Sequence, residues 1–238
     1  MDWDAYKSMY PVVPGEVYDF QKNIGYEFKH IECLYNALIH SSYASEHYRD
    51  VSRCNERLEF LGDAVLENIS SEYIYMTRPD DREGSMSSYR ASLVCEGALY
   101  DCALKFGLPE YLYLGVGEEK NGGRKKPSIV SDAVEAVIGA IYIDGGFEAA
   151  KAFVYEYILK GEREKKIHDP KTYVQNLAQK LYKKTPVYEC VREEGEGIER
   201  VYVMRCYIDD GLFAVVSDKS KKRACEKAAL ELIDRIEP

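Results

Sequence analysis

Apolar residues recur every three or four positions through roughly the first 160 residues, which is the spacing of helices that bury one face. Clusters of turn-forming residues (glycine, proline, asparagine and aspartate) interrupt this pattern at 78–81, 107–109, 121–123 and 144–146. We therefore predict a first domain, residues 1–160, that is entirely α-helical and whose helices end near these clusters.

The pattern changes after residues 161–169, a charged stretch poor in apolar residues that we interpret as a linker. Residues 171–184 have the apolar spacing of an amphipathic helix, and Leu181 falls on its apolar face. A second amphipathic pattern near the end of the chain predicts a last helix from Ser220 to about Ile236.

Between these two helices, apolar and polar residues alternate with the period of half-buried strands. The alternating segments are 187–193, 200–208 and 212–217. The expected fold is therefore multi-domain: an all-α domain followed by a small α+β domain, residues 170–238, with the order α-β-β-β-α.

The charge of the chain is unevenly distributed between these parts. The 238 residues include 41 acidic and 32 basic side chains, a formal net charge of −9 that by itself argues against a nucleic acid partner. Residues 1–168 hold 19 Lys+Arg and 28 Asp+Glu, whereas residues 169–238 hold 13 of each. Because the excess lies wholly in the first part, nucleic acid binding by the second domain stays open.

Several features indicate the compartment. The longest apolar run, residues 137–143, is far shorter than the roughly 20 residues of a membrane span. The first residues are acidic and lack the apolar segment of a signal peptide. Seven scattered cysteines without a Cys-x-x-Cys pair, and four histidines without a His-Glu-x-x-His motif, favour neither a disulfide framework nor a zinc site. We expect a cytoplasmic protein without a membrane partner.

Acidic side chains align on one face of the helix predicted at residues 55–66. At about 100° per residue, Glu56, Glu59 and Asp63 fall within an arc of about 60°. The opposite face is apolar, so the acids lie close to a low-dielectric core. Carboxylates in such surroundings are costly unless they are paired or bound to a cation.

A second segment, residues 131–141, repeats this arrangement with Asp132 and Glu135. The two helices together carry five acids with few basic residues nearby, and all the candidate ligand atoms are oxygens. Such a donor set favours Mg²⁺ or Mn²⁺. The alternative at this point is that each acid is solvated, or lies in a salt bridge, on an ordinary surface.

The sequence Asn-Glu-Arg-Leu-Glu-Phe-Leu-Gly-Asp at 55–63 closely resembles the signature of the ribonuclease III family. Residues 40–43 (His-Ser-Ser-Tyr), 117–124 and 132–146 are similar to further segments of that family. The α-β-β-β-α pattern resembles a double-stranded RNA-binding domain, and the whole resemblance extends over about residues 20–236.

This resemblance implies a homodimeric, Mg²⁺-dependent endoribonuclease for double-stranded RNA, with Mn²⁺ as a substitute and the signature helix at the subunit contact. It implies two-metal hydrolysis to 5′-phosphate and 3′-hydroxyl ends, in the processing of ribosomal RNA precursors and messenger RNA. The family's metal-binding positions correspond to Glu59, Asp63, Asp132 and Glu135. The catalytic residues are expected to be Asp63, Glu135 and a supporting acid, Glu56.

The resemblance also implies RNA contacts from both helices of the second domain, which would read the duplex mainly by its shape. The expected minor-groove residues are Thr172, Gln175 and Asn176. The expected phosphate-binding residues are Lys219, Ser220, Lys221, Lys222 and Arg223.

Two positions of the second domain depart from the family pattern. Cys225 stands where a lysine is common, and the acidic segment 193–199 replaces a loop that usually reads Gly-Pro-x-His. The acidic segment weakens the expected contact of this loop with a second minor groove, and we expect RNA binding that is modest and strongly dependent on salt and Mg²⁺.

Two other functions remain as alternatives. One is a non-catalytic RNA-binding protein built on the same fold, although such proteins usually lose acids from the site. The other is a metal-dependent phosphohydrolase of small nucleotides, for which an RNA-binding domain would have no purpose.

Overall fold

The computed structural model describes residues 3–159, 170–195, 200–209 and 211–236. The chain divides into two compact units, residues 1–163 and 164–238. An all-helical unit followed by a unit in the order α-β-β-β-α confirms the predicted fold class. The predicted linker, 161–169, lies outside the described residues, so the exact domain limits stay a prediction.

The first unit contains ten α-helices within its described residues, with three short 3₁₀ turns between them and a π-helical turn, Tyr155–Leu159, at their end. The helices are α1 (Trp3–Met9), α2 (Gly15–Asn23), α3 (Ile31–Ala37), α4 (Ser41–His47), α5 (Glu56–Thr77), α6 (Glu83–Val94), α7 (Glu96–Lys105), α8 (Val116–Lys120), α9 (Pro127–Gly145) and α10 (Phe147–Val154). The ends of α5, α7, α8 and α9 fall at the predicted turn clusters. None of the described helices is long and apolar enough to cross a membrane.

Helix α9 lies at the centre of this unit and packs against α3, α5, α7 and α10. Its sequence explains this position, because alanine, valine and isoleucine fill almost every turn and most of them are fully buried. Pro127 stands at the first position of the helix, where its missing N–H group costs no hydrogen bond.

Helices α5 and α9 approach each other so closely that only glycine fits at the contact. A Cβ atom on Gly62 would lie 1.7 Å from the carbonyl oxygen of Glu135, and one on Gly139 would lie 2.2 Å from that of Leu58. The two helices therefore touch through their backbones. This contact brings the acidic segment of α5 against the acidic segment of α9.

The second unit is a three-stranded antiparallel sheet with two helices. Its elements are α11 (Pro170–Tyr182), β1 (Val187–Glu194), β2 (Val201–Asp209), β3 (Leu212–Asp218) and α12 (Lys221–Ile236). The strands lie in the order β1-β2-β3, and Cys206 pairs with Tyr188 on one side and Ala214 on the other. Helix α12 packs on β2, β3 and α11, where Val174, Ala228 and Leu232 form part of a small core.

Helix α11 ends two residues before its predicted limit. Lys183 has a left-handed backbone conformation with a φ of 58°, which ends the helix. The side chain of Leu181 is 53% exposed, so its predicted place on the buried face was wrong. It lies in the last turn of the helix, beyond Ala178, the last fully buried residue of α11.

The glycine contact between α5 and α9 predicts the effect of Gly139→Ala. The added methyl group meets backbone atoms that cannot rotate away, so the helices must separate, and we expect a loss of about 1–3 kcal/mol in the free energy of unfolding. Urea denaturation of the full chain measures this loss. Gly84→Ala in α6 is the matched control, because nothing lies within 4 Å of its Cβ position. An equal effect of the two substitutions would contradict the backbone contact.

Candidate active site

Helix α5 begins where the chain is fixed to its neighbours. The N–H of Asn55, the residue before the helix, donates to the carbonyl oxygen of Ile39 at 2.8 Å, and Asn55 is buried. Leu58, Val65 and Leu66 anchor the inner face of the helix in the core. On the outer face, Glu56 and Asp63 are exposed and Glu59 is half-buried.

Helix α9 contributes Asp132 and Glu135, which are both partly buried although the helix around them is almost wholly apolar. The carbonyl oxygen of Glu135 lies at the contact with Gly62, one residue from Asp63. The same backbone contact that joins the helices therefore fixes the distance between their acids.

Burial and nearby carboxylates raise the pKa values of Glu59, Asp132 and Glu135. Burial is the larger cause for Glu135, and with the carboxylates of Asp63 and Asp132 it raises the pKa to about 8. Burial also raises the pKa of Glu59, with Asp132 as the next contribution. The pKa of Asp132 is raised by burial and then by Glu96. The carboxylates of α5 therefore act on those of α9, as the effects of Asp63 and Glu59 on Glu135 show.

The five predicted acids lie on two helices, Glu56, Glu59 and Asp63 on α5 and Asp132 and Glu135 on α9. Within the part of the chain that is described, no three His, Cys, Asp or Glu side chains converge closely enough to hold a metal ion. Burial first, and then neighbouring carboxylates, raise the pKa values of Glu59, Asp132 and Glu135.

Several residues that the sequence analysis gave no role belong to this region. Gly62 and Gly139 set the helix contact, and a glycine within three or four residues of an acid on each helix was the signal in the sequence. Burial lowers the pKa of His40, and the carboxylates of Glu118, Asp132 and Glu56 act against this shift. Lys126 binds Glu118, with its Nζ atom 2.5 Å from a carboxylate oxygen.

The predicted RNA-binding residues lie at the starts of the two helices of the second unit. Thr172, Gln175 and Asn176 are exposed in the first two turns of α11. Around the start of α12, Ser220 is half-buried, and the basic side chains are exposed: Lys219, Lys221, Lys222 and Arg223. The Oγ atom of Ser220 accepts a hydrogen bond from the N–H of Arg223 at 3.5 Å, so Ser220 caps α12.

The structure explains one of the two departures from the family pattern. The side chain of Cys225 is only 7% exposed and packs with Ala224 and Met204, so this position faces the domain interior. The nearby Lys227 is held by Asp218 at 2.7 Å. The predicted basic residues at the start of α12 are therefore Lys219, Lys221, Lys222 and Arg223, and position 225 adds no exposed side chain.

The acidic segment between β1 and β2 is described only up to Gly195; residues 196–199 lie outside the described residues. Two of its acids are paired with arginines at the base of the segment. Glu193 lies 3.8 Å from Arg200, and Glu194 lies 2.5 Å from Arg192. These pairs offset part of the negative charge that the sequence places there.

Two family models match the chain. Residues 30–161 match the Ribonuclease-III-like family, and residues 170–236 match the double-stranded RNA binding motif. Ribonuclease 3 of Pseudothermotoga lettingae is 40% identical over 226 residues, which cover 92% of this chain and 94% of the relative. Ribonuclease 3 of Carboxydothermus hydrogenoformans is 41% identical over 218 residues, covering 90% and 93%.

Solved structures agree with these matches for the first unit. The nuclease domain of ribonuclease III from Campylobacter jejuni is 40% identical and superposes with a TM-score of 0.58, covering 63% of this chain and 99% of that domain. A second structure of the same domain is 42% identical and superposes with a TM-score of 0.57, covering 61% of this chain and 98% of that domain. That structure is described as flexible in a region involved in dimer formation. The chain therefore belongs to the ribonuclease III family and is a hydrolase, an endoribonuclease that acts on double-stranded RNA.

Proposed function

We propose that this endoribonuclease cleaves RNA at the acidic centre between α5 and α9, with the aid of Mg²⁺ or, as a substitute, Mn²⁺. The observation that carries the proposal is the coupling of Glu135 to Asp63, Asp132 and Glu59, which together with burial raises its pKa to about 8. Such crowding of negative charge costs stability, and a bound divalent cation offsets that cost.

The donor set fits a hard cation. Glu59, Asp63, Asp132 and Glu135 offer only carboxylate oxygens, which Mg²⁺ and Mn²⁺ prefer over nitrogen and sulfur. In this proposal these four residues hold the metal. Glu56, one turn before the metal-binding residues on α5, supports the site from its exposed edge.

The proposed reaction is hydrolysis of a phosphodiester bond. Bound divalent cations activate water and stabilise the leaving oxygen. The carboxylates of Asp63 and Glu135 fix the position of the cations and lower the net charge of the centre. Attack of water on phosphorus and loss of the 3′ oxygen leave a 3′-hydroxyl on one fragment and a 5′-phosphate on the other.

The proposed RNA contacts are those of Thr172, Gln175 and Asn176 with a minor groove, and those of residues 219–223 with phosphates. Their exposure at the starts of α11 and α12 supports this proposal.

The proposed setting is the processing of ribosomal RNA precursors and messenger RNA in the cytoplasm. All seven cysteines lie in the described residues and are free thiols, which is typical of proteins in a reducing compartment.

We further propose a homodimer that forms through α5. Phe60, Tyr75 and Met76 on this helix are 82%, 70% and 72% exposed, which is unusual for large apolar side chains. The solved nuclease domain from Campylobacter jejuni, whose reported dimer-forming region is flexible, supports the expectation of a dimer.

Cleavage of a perfect RNA duplex tests the proposed site. We expect cleavage with Mg²⁺ and none with EDTA, and a loss of at least about 100-fold in rate for Asp63→Asn and Glu135→Gln, with unchanged duplex binding. Glu148→Gln, which alters an exposed acid on α10, is the control and should cleave normally. Cleavage in EDTA, or full activity of both variants, would refute the proposal.

The pKa of Glu135 predicts how stability depends on pH in metal-free solution. Between 4.5, the ordinary value, and about 8, the folded protein keeps a proton that the unfolded chain has released. The free energy of unfolding should therefore fall as pH rises through this window, by about 1–2 kcal/mol after solvent screening. Denaturation with urea in EDTA measures the fall. Glu135→Gln should reduce it and saturating Mg²⁺ should reverse it; an equal fall in the variant would contradict the coupling.

Removing two lysines at the start of α12 tests the proposed phosphate contacts. Lys221→Ala combined with Lys222→Ala should weaken duplex binding and reduce the slope of log K against log salt by about 1–2. Fluorescence anisotropy at several salt concentrations measures this slope. Lys180→Ala with Lys183→Ala removes the same charge from the far end of α11 and is the control. A similar loss in both double variants would indicate a nonspecific effect of charge.

The exposed side chains of α5 predict the oligomeric state. Sedimentation equilibrium should give the mass of two chains, and Phe60→Asp should give one, because a carboxylate buried in an apolar interface is costly. Val12→Asp, at a residue 77% exposed outside α5, should leave the dimer intact. A monomeric parent protein, or a dimeric Phe60→Asp variant, would exclude this interface.

A further inference from the structure

A buried asparagine holds the chain immediately before the acidic helix α5. Asn36, near the end of α3, is only 6% exposed. Its Nδ2 atom donates to the carbonyl oxygens of Arg53 at 3.2 Å and Cys54 at 3.0 Å, and its Oδ1 atom accepts a hydrogen bond from the hydroxyl of Tyr6 at 2.8 Å. Because backbone carbonyl groups only accept, the amide must turn its nitrogen towards them and its oxygen towards Tyr6. All the polar atoms of this side chain are therefore bonded.

The peptide unit between Cys54 and Asn55 is fixed at both of its ends. Its carbonyl oxygen, on Cys54, accepts from Asn36, and its N–H group, on Asn55, donates to the carbonyl oxygen of Ile39 at 2.8 Å. A peptide unit is planar, so bonds to its two opposite ends set its orientation. Residues 36–39 at the end of α3 therefore determine the direction in which the chain enters α5.

This peptide unit leads directly into the first turn of α5. The carbonyl oxygen of Asn55 accepts from the N–H groups of Leu58 and Glu59, both at 2.9 Å, and these bonds begin the helix. The side chain of Asn55 makes no capping hydrogen bond within the described turn. Because Glu56 and Glu59 lie in this turn, the contacts of the backbone before α5 set the position of both acids.

Helix α1 adds further bonds to the same segment. Tyr10 follows this helix one turn after Tyr6, and its hydroxyl donates to the carbonyl oxygen of Arg53 at 3.1 Å. The ring of Trp3 stacks on that of His30, with 3.7 Å between the ring centroids, and so anchors the beginning of α1. These α1 contacts come from residues before position 30, where the match to the Ribonuclease-III-like family begins. A segment that precedes the matched region therefore helps to hold the start of the acidic helix.

We propose that Asn36 is a positioning residue of the active centre, which fixes the first turn of α5 so that Glu56 and Glu59 stay beside the acids of α9. This inference rests on the proposed cleavage at that centre. A displacement of about 1 Å in an active site lowers the rate by up to about 100-fold, even when the substituted residue lies far from the chemistry. Without the amide, the carbonyl group of Cys54 loses its donor, and the turn that follows is free to shift.

Two substitutions weaken this contact to different degrees. Asn36→Leu keeps the branched shape of the side chain and removes its polar atoms, whereas Tyr6→Phe removes only the hydroxyl that binds the amide. With an RNA duplex and Mg²⁺, well below the melting temperature of each variant, we expect kcat to fall about 10–100-fold for Asn36→Leu and about 2–10-fold for Tyr6→Phe. The KM should stay unchanged, because the proposed RNA contacts of α11 and α12 are intact.

Tyr35→Phe is the matched control. It removes a buried hydroxyl of α3 one residue from Asn36, whose hydrogen bond of 3.0 Å joins it to the hydroxyl of Tyr48 and not to the backbone before α5. This variant should keep the parent kcat even where its melting temperature falls. An equal loss of kcat in Tyr35→Phe and Tyr6→Phe would indicate a general loss of stability and would overturn the inference.

Hydrogen exchange gives a second readout that depends on neither metal nor cleavage. In Asn36→Leu, the protection of the Leu58 and Glu59 amides should fall about 10–100-fold more than that of Ile74, near the other end of α5. An equal fall at the two ends would contradict a local role. If Asn36→Leu does not fold, Tyr6→Phe decides, and parent values of kcat and of exchange at Leu58 and Glu59 would overturn the inference.

Failure of the proposed function gives a different set of results. If Asp63→Asn and Glu135→Gln both cleave normally, the acidic centre is not the site of cleavage and the proposed function fails. If those two variants are inactive while Asn36→Leu matches the parent protein in kcat and in exchange, only this inference fails.

Discussion

The acidic centre between α5 and α9 depends on one contact, the meeting of the two helix backbones at Gly62 and Gly139. A single methyl group at either position would collide with a carbonyl group of the other helix. Without this contact, a layer of side chains would separate the acids of α5 from those of α9. Because backbones and not side chains touch, the spacing of the acids is set by the most rigid part of each helix.

The contact also holds carboxylates of the two helices close together, which is unfavourable for their charged forms. The backbone of Glu135 is fixed one residue from Asp63, because its carbonyl oxygen is packed against Gly62. Burial and the nearby carboxylates consequently raise its pKa to about 8. The apolar packing of α9 stabilises the unit and compensates for this cost. Repulsion among these carboxylates is unfavourable without a cation, and a bound divalent cation would offset it, which supports the proposed metal site.

Helical periodicity was sufficient to predict most of the fold and the acidic faces. At about 100° per residue, the sequence places Glu56, Glu59 and Asp63 on one side of a helix, and the structure has the same arrangement. Periodicity cannot predict how closely two helices approach, so the role of Gly62 and Gly139 became clear only from the packing. Periodicity also misplaced Leu181, which lies in the last turn of α11, beyond the residues that this helix buries.

The positions of His40 and Cys225 also required the three-dimensional structure. His40 and Ser42 are hydrogen-bonded to Tyr113 and Gly115, and sequence spacing does not predict these contacts. Cys225 follows a basic run, yet it faces the small core because it lies one turn before Ala228 and Ala229 on the inner side of α12. The spacing of residues along the chain predicts which face of a helix they occupy, whereas the positions of these two residues depend on contacts between elements.

The most direct test of this account is a crystal structure of the full chain with Mn²⁺ and an RNA duplex, using the anomalous scattering of manganese. The account predicts manganese between Glu59 and Asp63 of α5 and Asp132 and Glu135 of α9, next to the scissile phosphate. Manganese bound elsewhere, with these four carboxylates unliganded, would contradict it.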